Sequence, residues 1–541
     1  MRSWMKKVFL HKKTGFAWIE TANIHARGYL FDRSDKLYTG EDLISYFEGV
    51  ESWYDFEERV CYANGLFSVI VELNGEWYAA TDPFRTFPLF YIRNKGEWII
   101  SDDPYYLAGY SEKGHIDNPS MTEFLATGYV TGNNTLVEGI RQIQAGEMIR
   151  FKEDSLDARF YYSYRCHAVR EEPYRELRDE ARMVFSKAFP RFIASLQGRP
   201  VVLPLSGGYD SRFIAAMLRQ YEYDNVICFT YGRKGNPEVK ISQSVAQKLG
   251  FPWIFIEYTK ELIKDFPYDD NFSQYVKTGG RMCSMFYMQE FFAVNQLKME
   301  NRIPSNSIFV PGLYGDFLAG GMLNKHGNLS LEESMGQIAE RIYNVKYTFK
   351  PPRRKDVPGI KNRIEKRLLE KFRKESDLAY SIHEDYDFKE RYAKFINNST
   401  ATYLHFGYEF RLAFCDNEIV DFFRRLPLHA KVNKYLYDDI LTNEIFQAWD
   451  VNFDHELQAD EQVIRRAKLK NRIKAFMPEW FKRLFVNRYD DLYYNEITKY
   501  FKDDLARKGR KIKIYGNSYN SLIIQWYAES VRQYLNKLKS T

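Results

Sequence analysis

A chain of 541 residues is too long for one ordinary core, and 45% hydrophobic with 28% charged residues excludes a disordered or fibrous protein. Two or three globular domains are expected. The net charge of +6 sits partly in stretches such as "PPRRKDVPGIKNRIEKR" and "VIRRAKLKNRIK", where Lys and Arg interleave with apolar residues at helical spacing. These read as solvated helix faces, so no nucleic-acid partner is expected.

The five cysteines (Cys61, Cys166, Cys228, Cys283, Cys415) have no paired spacing, which disfavours a zinc site or a disulfide framework. No segment approaches the roughly eighteen continuous apolar residues of a membrane span, and "MRSWMKKVFLHKKTGF" lacks the apolar stretch of a signal peptide. A cytoplasmic location is expected.

Residues up to about 165 read as β-rich. "GLFSVIVEL", "EWYAATD" and "PLFYI" are short β-branched or aromatic runs separated by turn signals, and Asn74-Gly75 predicts a hairpin. From about Glu171 the texture changes. The helical pattern "YRELRDEARMVFSKAFPRFIASL" precedes the buried-strand runs "VVLPL", "NVICFTYG", "WIFIEYT" and "SIFVPG", with helices between them. That alternation predicts a parallel sheet with helices on both faces. Beyond about Glu340 the pattern is almost entirely helical.

The chemistry concentrates where "VVLPL" meets "RFIAAMLRQY". The loop Ser206-Gly207-Gly208-Tyr209-Asp210-Ser211 follows a strand and opens a helix, so backbone N–H groups and a helix N-terminus point outward. Paired glycines admit an anion closely, and the serine hydroxyls add donors. Asp210 repels a bare phosphate, which implies a bridging cation such as Mg²⁺. The spacing is not that of the Walker loop.

The loop resembles the S-G-G-x-D-S pyrophosphate loop of ATP pyrophosphatases, and further stretches resemble the asparagine synthetase family. "GLFSVIVELNGEWYAATDPFRTFPLFY" is similar to the end of that family's glutaminase-type domain. "ICFTYGRKGNPEVKISQSVAQKLGFPWIFIEYT" is similar to the second strand and helix of its synthetase domain. "VPGLYGDFLAGG" is similar to its second metal motif, and "GYEFRLAFCDNEIVDFFRRLP" to its G-x-E-x-R-x-P-F-L-D signature.

The resemblance implies an α/β multidomain fold. Residues 1–168 would form a β-rich glutaminase-like α/β/β/α sandwich. Residues 169–541 would form a parallel-sheet domain of the adenine-nucleotide α-hydrolase kind with a helical C-terminal extension. It implies ATP and Mg²⁺ as cofactors, with Asp210 and Asp316 as metal carboxylates. Leu205, Ser206, Gly207, Gly208, Asp210, Ser211, Arg212, Thr230, Tyr231, Gly232 and Gly312 would line the nucleotide, and Glu409 and Arg411 would either act directly or frame the pocket as an ion pair. The reaction implied is activation of a carboxylate as an acyl-adenylate, then amide formation with ammonia or an amine.

Four departures matter. Position two is Arg2 and the first cysteine is Cys61, so no glutaminase nucleophile is expected, and ammonia would come free or from a separate glutaminase. Leu313 stands where the family carries a Glu or Tyr, leaving Tyr314 as the nearby base candidate. The late lysine motif is replaced by "RRAKLKNRIK", with Lys468 and Lys470 as candidates. Arg212 replaces the third serine of the loop and could add a cation near pyrophosphate.

These departures look most like asparagine-synthetase-like proteins of bacterial surface-polysaccharide clusters, which suggests a small-molecule or glycan carboxylate. A lactam- or lasso-type cyclase and an inactive nucleotide-binding scaffold are the alternatives. A homodimer is compatible with the resemblance.

Overall fold

The computed structural model describes residues 7–11, 15–111, 114–168, 170–264, 266–323, 333–371, 378–453, 490–513 and 518–540. Lys468 and Lys470 lie outside the described residues.

The first part contains β1 (Lys7–Phe9), β2 (Ile19–Glu20), β3 (Ile24–Phe31), β4 (Leu37–Thr39), β5 (Asn64–Leu73) and β6 (Glu76–Thr81). It continues with β7 (Phe90–Asn94), β8 (Glu97–Ser101), β9 (Arg141–Gln142), β10 (Glu147–Phe151) and β11 (Leu156–Phe160). They form two sheets, ordered β1-β8-β7-β9 and β11-β10-β6-β5-β3-β2, with β4 on β3. The Asn74-Gly75 hairpin joins β5 to β6, pairing Leu73 with Glu76. Both turn residues have positive φ, 52° and 78°, as the tightest hairpin turn requires.

Period-two alternation sorts the side chains of these strands into separate layers. Ile70, Trp77 and Ala79 meet Tyr91, Trp98 and Ile100 of the second sheet. Val69, Val71, Tyr78 and Ala80 face the other way, onto Phe47, Phe56 and Val60 of the helices Asp42–Phe47 and Trp53–Tyr62. The helix Pro104–Ala108 packs on β7 and β8. The layering is helix, sheet, sheet, helix, as the α/β/β/α expectation holds.

After the long helix Tyr174–Leu196 come β12 (Val201–Pro204), β13 (Val226–Gly232), β14 (Trp253–Glu257), β15 (Ile308–Phe309) and β16 (Glu409–Phe410). All pair in parallel, in the order β14-β13-β12-β15-β16. The chain steps outward from β12 to β14 on one side, then returns to add β15 and β16 on the other. The order therefore reverses between β12 and β15, which opens a crevice beyond their carboxyl ends.

β16 is a strand in the region after residue 340 expected to be almost entirely helical. Its two residues pair only with β15 and leave no periodic signal. The remaining elements there are helical, among them Met335–Lys346, Val357–Lys371, Ala379–Tyr386 and Asn417–Arg425. A buried pair, Arg165 with Asp385, holds this layer to the first part, and Lys346 with Asp387 and Lys431 with Glu384 brace it from within. No described helix is long and apolar enough to cross a membrane.

Candidate functional site

The loop after β12 runs straight into the helix Tyr209–Gln220, whose N-cap is Gly208. Its serines brace it from within. Ser211 Oγ accepts the Ser206 N–H at 3.2 Å and lies 3.0 Å from Ser206 Oγ, which accepts the Gly208 N–H at 3.1 Å. The neighbouring loop after β15 comes so close that a Cβ on Gly312 would fall 2.7 Å from the Ser211 nitrogen.

The two acids meet at this seam. Asp210 Oδ2 accepts the Asp316 backbone N–H at 2.9 Å, and Asp210 Oδ1 accepts the Tyr437 hydroxyl at 2.9 Å. Burial pushes the Asp210 carboxyl up to about 6 against these two bonds. Each carboxylate rests on a glycine: a Cβ on Gly315 would fall 2.6 Å from an Asp210 oxygen, and one on Gly321 2.5 Å from an Asp316 oxygen. Lys434 Nζ lies 3.2 Å from Asp316 Oδ1 and 3.4 Å from Asp438. Burial works against that ammonium, but Asp438 and Asp316 hold it above its ordinary value.

These groups open on a cavity of about 1010 Å³. One wall is the β12 loop, a second is Thr230 and Tyr231 of β13 with Asn236 and Glu238, and a third is Tyr287, Gln289 and Glu290. Glu290 accepts hydrogen bonds from the hydroxyls of Tyr403 and Tyr231, and burial raises its carboxyl to about 7 against them. Five acids (Asp210, Glu238, Glu290, Asp316, Asp491) face the cavity and Lys434 is the cation among its lining residues.

Residues 194–287 match the family model for asparagine synthase. A 186-residue stretch is 27% identical to proteins of Mycobacterium tuberculosis (strain ATCC 25618 / H37Rv) and Mycobacterium bovis named as glutamine-hydrolyzing asparagine synthetases. Over these residues the chain is similar to the asparagine synthase domain. The matched stretch covers 32% of the chain and 28% of the length of those relatives.

Among solved structures, an NH₃-dependent NAD synthetase from Campylobacter jejuni is 14% identical, covering 38% of this chain and 99% of that one, at a TM-score of 0.20. A glutamine phosphoribosylpyrophosphate amidotransferase from B. subtilis is 8% identical, covering 54% and 62%, at 0.18.

Of the residues expected at a family nucleotide site, Leu205, Ser206, Gly207, Gly208, Asp210, Ser211, Thr230, Tyr231, Gly312 and Asp316 line the one cavity. Gly232 does not. It ends β13 with φ +132°, where a Cβ would meet the Asp491 carbonyl at 2.9 Å. Arg212 lies beneath the loop rather than beside the cavity. Its guanidinium donates to the Gly207 carbonyl at 2.6 Å and stacks over Phe446 and Phe453, so it braces the loop from below.

Tyr314 is also displaced from the role expected of it. It is 2% exposed, its ring packs on Phe84 and Tyr392, and its hydroxyl has no hydrogen-bond partner among the described residues. Burial raises that hydroxyl far above its ordinary value, the opposite of what a base needs. Glu409 and Arg411 are a structural pair at the sheet edge. Glu409 bridges Arg199 at 2.6 Å and Arg411 at 3.1 Å, and Arg411 stacks on Tyr29 and Phe16 of the first part.

Sequence reasoning missed Lys434, Tyr437 and Glu290. Asn433 and Lys434 both take positive φ, 61° and 60°, a kink that no local pattern announces. Glu290 did leave a signal, a lone acid in the apolar run "SMFYMQEFFAV".

The residues present fit Mg²⁺. Among the described residues, no cluster of three or more His, Cys, Asp or Glu forms a metal cage. Two carboxylates beside a phosphate-type loop are the donor set of an ion that retains water and shares its substrate's phosphate oxygens.

Proposed function

We propose that the chain is an ATP-dependent carbon–nitrogen ligase, with residues 169–541 forming the ligase domain and residues 1–168 a glutaminase-like domain without glutaminase chemistry. The observation that carries this reading is the convergence of the Ser206–Ser211 loop, Asp210, Asp316 and Lys434 on one cavity at the sheet's reversal point.

The loop and the helix N-terminus behind it would seat the β and γ phosphates, whose charge suits that end of a helix. Asp210 and Asp316 would hold Mg²⁺, which when bound offsets charge on the departing pyrophosphate. Lys434 supplies a fixed positive charge beside the same oxygens, already oriented by Asp316 and Asp438. A substrate carboxylate oxygen forms a bond to the α-phosphorus as the α–β bridging bond breaks and pyrophosphate leaves. The nitrogen of ammonia or an amine then bonds to the acyl carbon, AMP departs with the former carboxylate oxygen, and the nitrogen gives up a proton.

The described cysteines support an external source of that nitrogen. Cys61 sits on an outer helix, where burial of its sulfur, with Glu57 and Glu58 adding to it, raises the thiol to about 11. Cys166, Cys228, Cys283 and Cys415 are buried. Burial also raises the thiols of Cys228 and Cys415, the opposite of what a nucleophile needs.

The test is pyrophosphate release from ATP and Mg²⁺ with a panel of small-molecule and glycan carboxylates. Release that requires one acid, and falls by roughly 10²–10³ in Asp210→Asn, supports the reading. Absence of ATP binding by the intact chain overturns it.

A further inference from the structure

Away from the nucleotide cavity, the junction between the two parts of the chain encloses a second, much smaller space of about 10 Å³. It is lined by Arg27 of β3, Asp102 just beyond β8, Thr278 and Arg281 at the end of the helix Asp270–Gly280, and His405 of the helix Ala401–Phe406. A space of that size holds one water or one monoatomic ion.

The polar accounting around it does not close. Arg27 is 4% exposed, yet its Nε and Nη2 have no hydrogen-bond partner among the described residues. Asp102 does not supply one at the distance at which it stands. Oδ1 accepts the His11 N–H at 3.0 Å and faces His11 Nδ1 at 3.0 Å, while Oδ2 accepts the Trp18 indole N–H at 3.0 Å. Arg27 Nη1 reaches Oδ2 only at 3.6 Å. His405 is likewise taken, by Asn271 at 2.8 Å and Thr278 at 3.4 Å.

The charge does not close either. Arg281 is repelled by both Arg27 and Arg85 here, with Asp102 and Asp103 as the opposing carboxylates. Burial, with Arg281 adding to it and Asp102 opposing, lowers the Arg27 guanidinium to about 10. A buried guanidinium with unfilled donors calls for an acceptor, and one carrying negative charge also relieves the arginine–arginine repulsion. A carboxylate or phosphate ligand is too large for the space.

We infer that the Arg27–Arg281 cavity is a binding site for a single monoatomic anion of chloride size, joining the N-terminal sheets to the parallel-sheet part. The anion accepts from Arg27 Nε and Nη2 and screens Arg281. His405 of the site stands two residues along its helix from Tyr403, whose hydroxyl donates to Glu290 at the nucleotide cavity.

The experiment uses the full chain. Crystals grown with bromide as the halide are measured at the bromine absorption edge, and an anomalous peak in the cavity between Arg27 and Arg281 is the expected result. Density for a water alone, with no anomalous signal, overturns the proposal. In solution, halide-free protein in glutamate salt is titrated with chloride at constant ionic strength while thermal unfolding is followed. A saturable rise in Tm that is lost in Arg27→Gln and kept in the surface variant Arg93→Gln supports the site. An equal response in wild type and Arg27→Gln reports general screening and overturns it.

Discussion

The backbone N–H of Asp316 donates to the Asp210 carboxylate at 2.9 Å, so one acid of the site holds the loop that carries the other. The loops after β12 and β15 are thereby fixed to each other across the point where strand order reverses. Two glycines set the remaining geometry, Gly315 against Asp210 and Gly321 against Asp316.

Gly321→Ala should displace the Asp316 carboxylate outside the phosphate loop, and Gly315→Ala the Asp210 carboxylate within it. The added methyl would fall 2.5 Å and 2.6 Å from the respective oxygens, so the carboxylate must swing away. A misplacement of about 1 Å can cost on the order of 10²-fold in rate. Steady-state pyrophosphate release should fall by roughly that factor while ATP binding is largely kept. Full activity in both variants would show that these carboxylates do not need their present positions.

Lys434→Met should lower the rate of pyrophosphate release by roughly 10²–10³, the loss seen when one preorganised donor to developing charge is removed. Lys434→Arg should recover part of it, since charge is kept but the compact ammonium is not. A rate unchanged in Lys434→Met would move the fixed cation elsewhere. Lys468 and Lys470 would then be the next lysines to replace.

The contrast between Asp210 and Lys434 shows what the sequence could carry. Asp210 lies in a contiguous strand–loop–helix signature, where five polar or glycine positions within six residues encode both the turn and its chemistry. The β5–β6 hairpin was legible for the same reason, because Asn74-Gly75 is a local solution to a local problem. Lys434 reaches the site through two consecutive left-handed residues and a partner more than a hundred positions away. Tyr314 shows the reverse error: adjacency to Leu313 suggested a base, but its φ of 78° and the aromatic packing on Phe84 turn the ring away from the cavity. The pair Glu409–Arg411 looked equally suited to site or scaffold until the edge strand β16 placed it.

Glu290 gives a pH signature. Its carboxyl is raised from 4.5 to about 7 by burial, although the Tyr403 and Tyr231 hydroxyls favour the charged form. A folded-state value above the unfolded one means that the folded protein holds the extra proton across this window. Its favourable contribution is complete below about pH 4.5 and is lost as pH rises through about 7. Glu290→Gln lacks this titration. The variant's stability, followed through Tm, should therefore gain on that of the wild type between pH 4.5 and 7 and hold its advantage above, by a free energy on the order of 3 kcal/mol at most. A difference in Tm that does not change over this range would mean that Glu290 titrates as an ordinary surface acid.

Asp416 ties the two parts of the chain together. Its oxygens accept from Arg191 Nε at 2.8 Å and Arg191 Nη2 at 2.9 Å, the two-pronged geometry that makes an arginine–carboxylate pair strong. The Asn64 side chain of β5 donates to Oδ2 at 3.0 Å, and the Glu418 N–H to Oδ1 at 3.0 Å, capping the helix Asn417–Arg425. Arg191 is 7% exposed, and removing the carboxylate leaves it only Asp35 at 3.1 Å and Glu418 at 3.7 Å, both on more exposed side chains. Asp416→Ala should cost about 2–4 kcal/mol, most of it from a guanidinium that has lost its two-pronged partner, with loss of the cap adding to it. Asp416→Asn keeps a capping oxygen and should cost less. The decisive comparison is the double variant Arg191→Met/Asp416→Leu, measured by thermal unfolding beside the single ones. If the poorly paired charge dominates, the double variant will be more stable than Asp416→Ala. If it is less stable, the contacts themselves, and not the poorly paired charge, hold this junction.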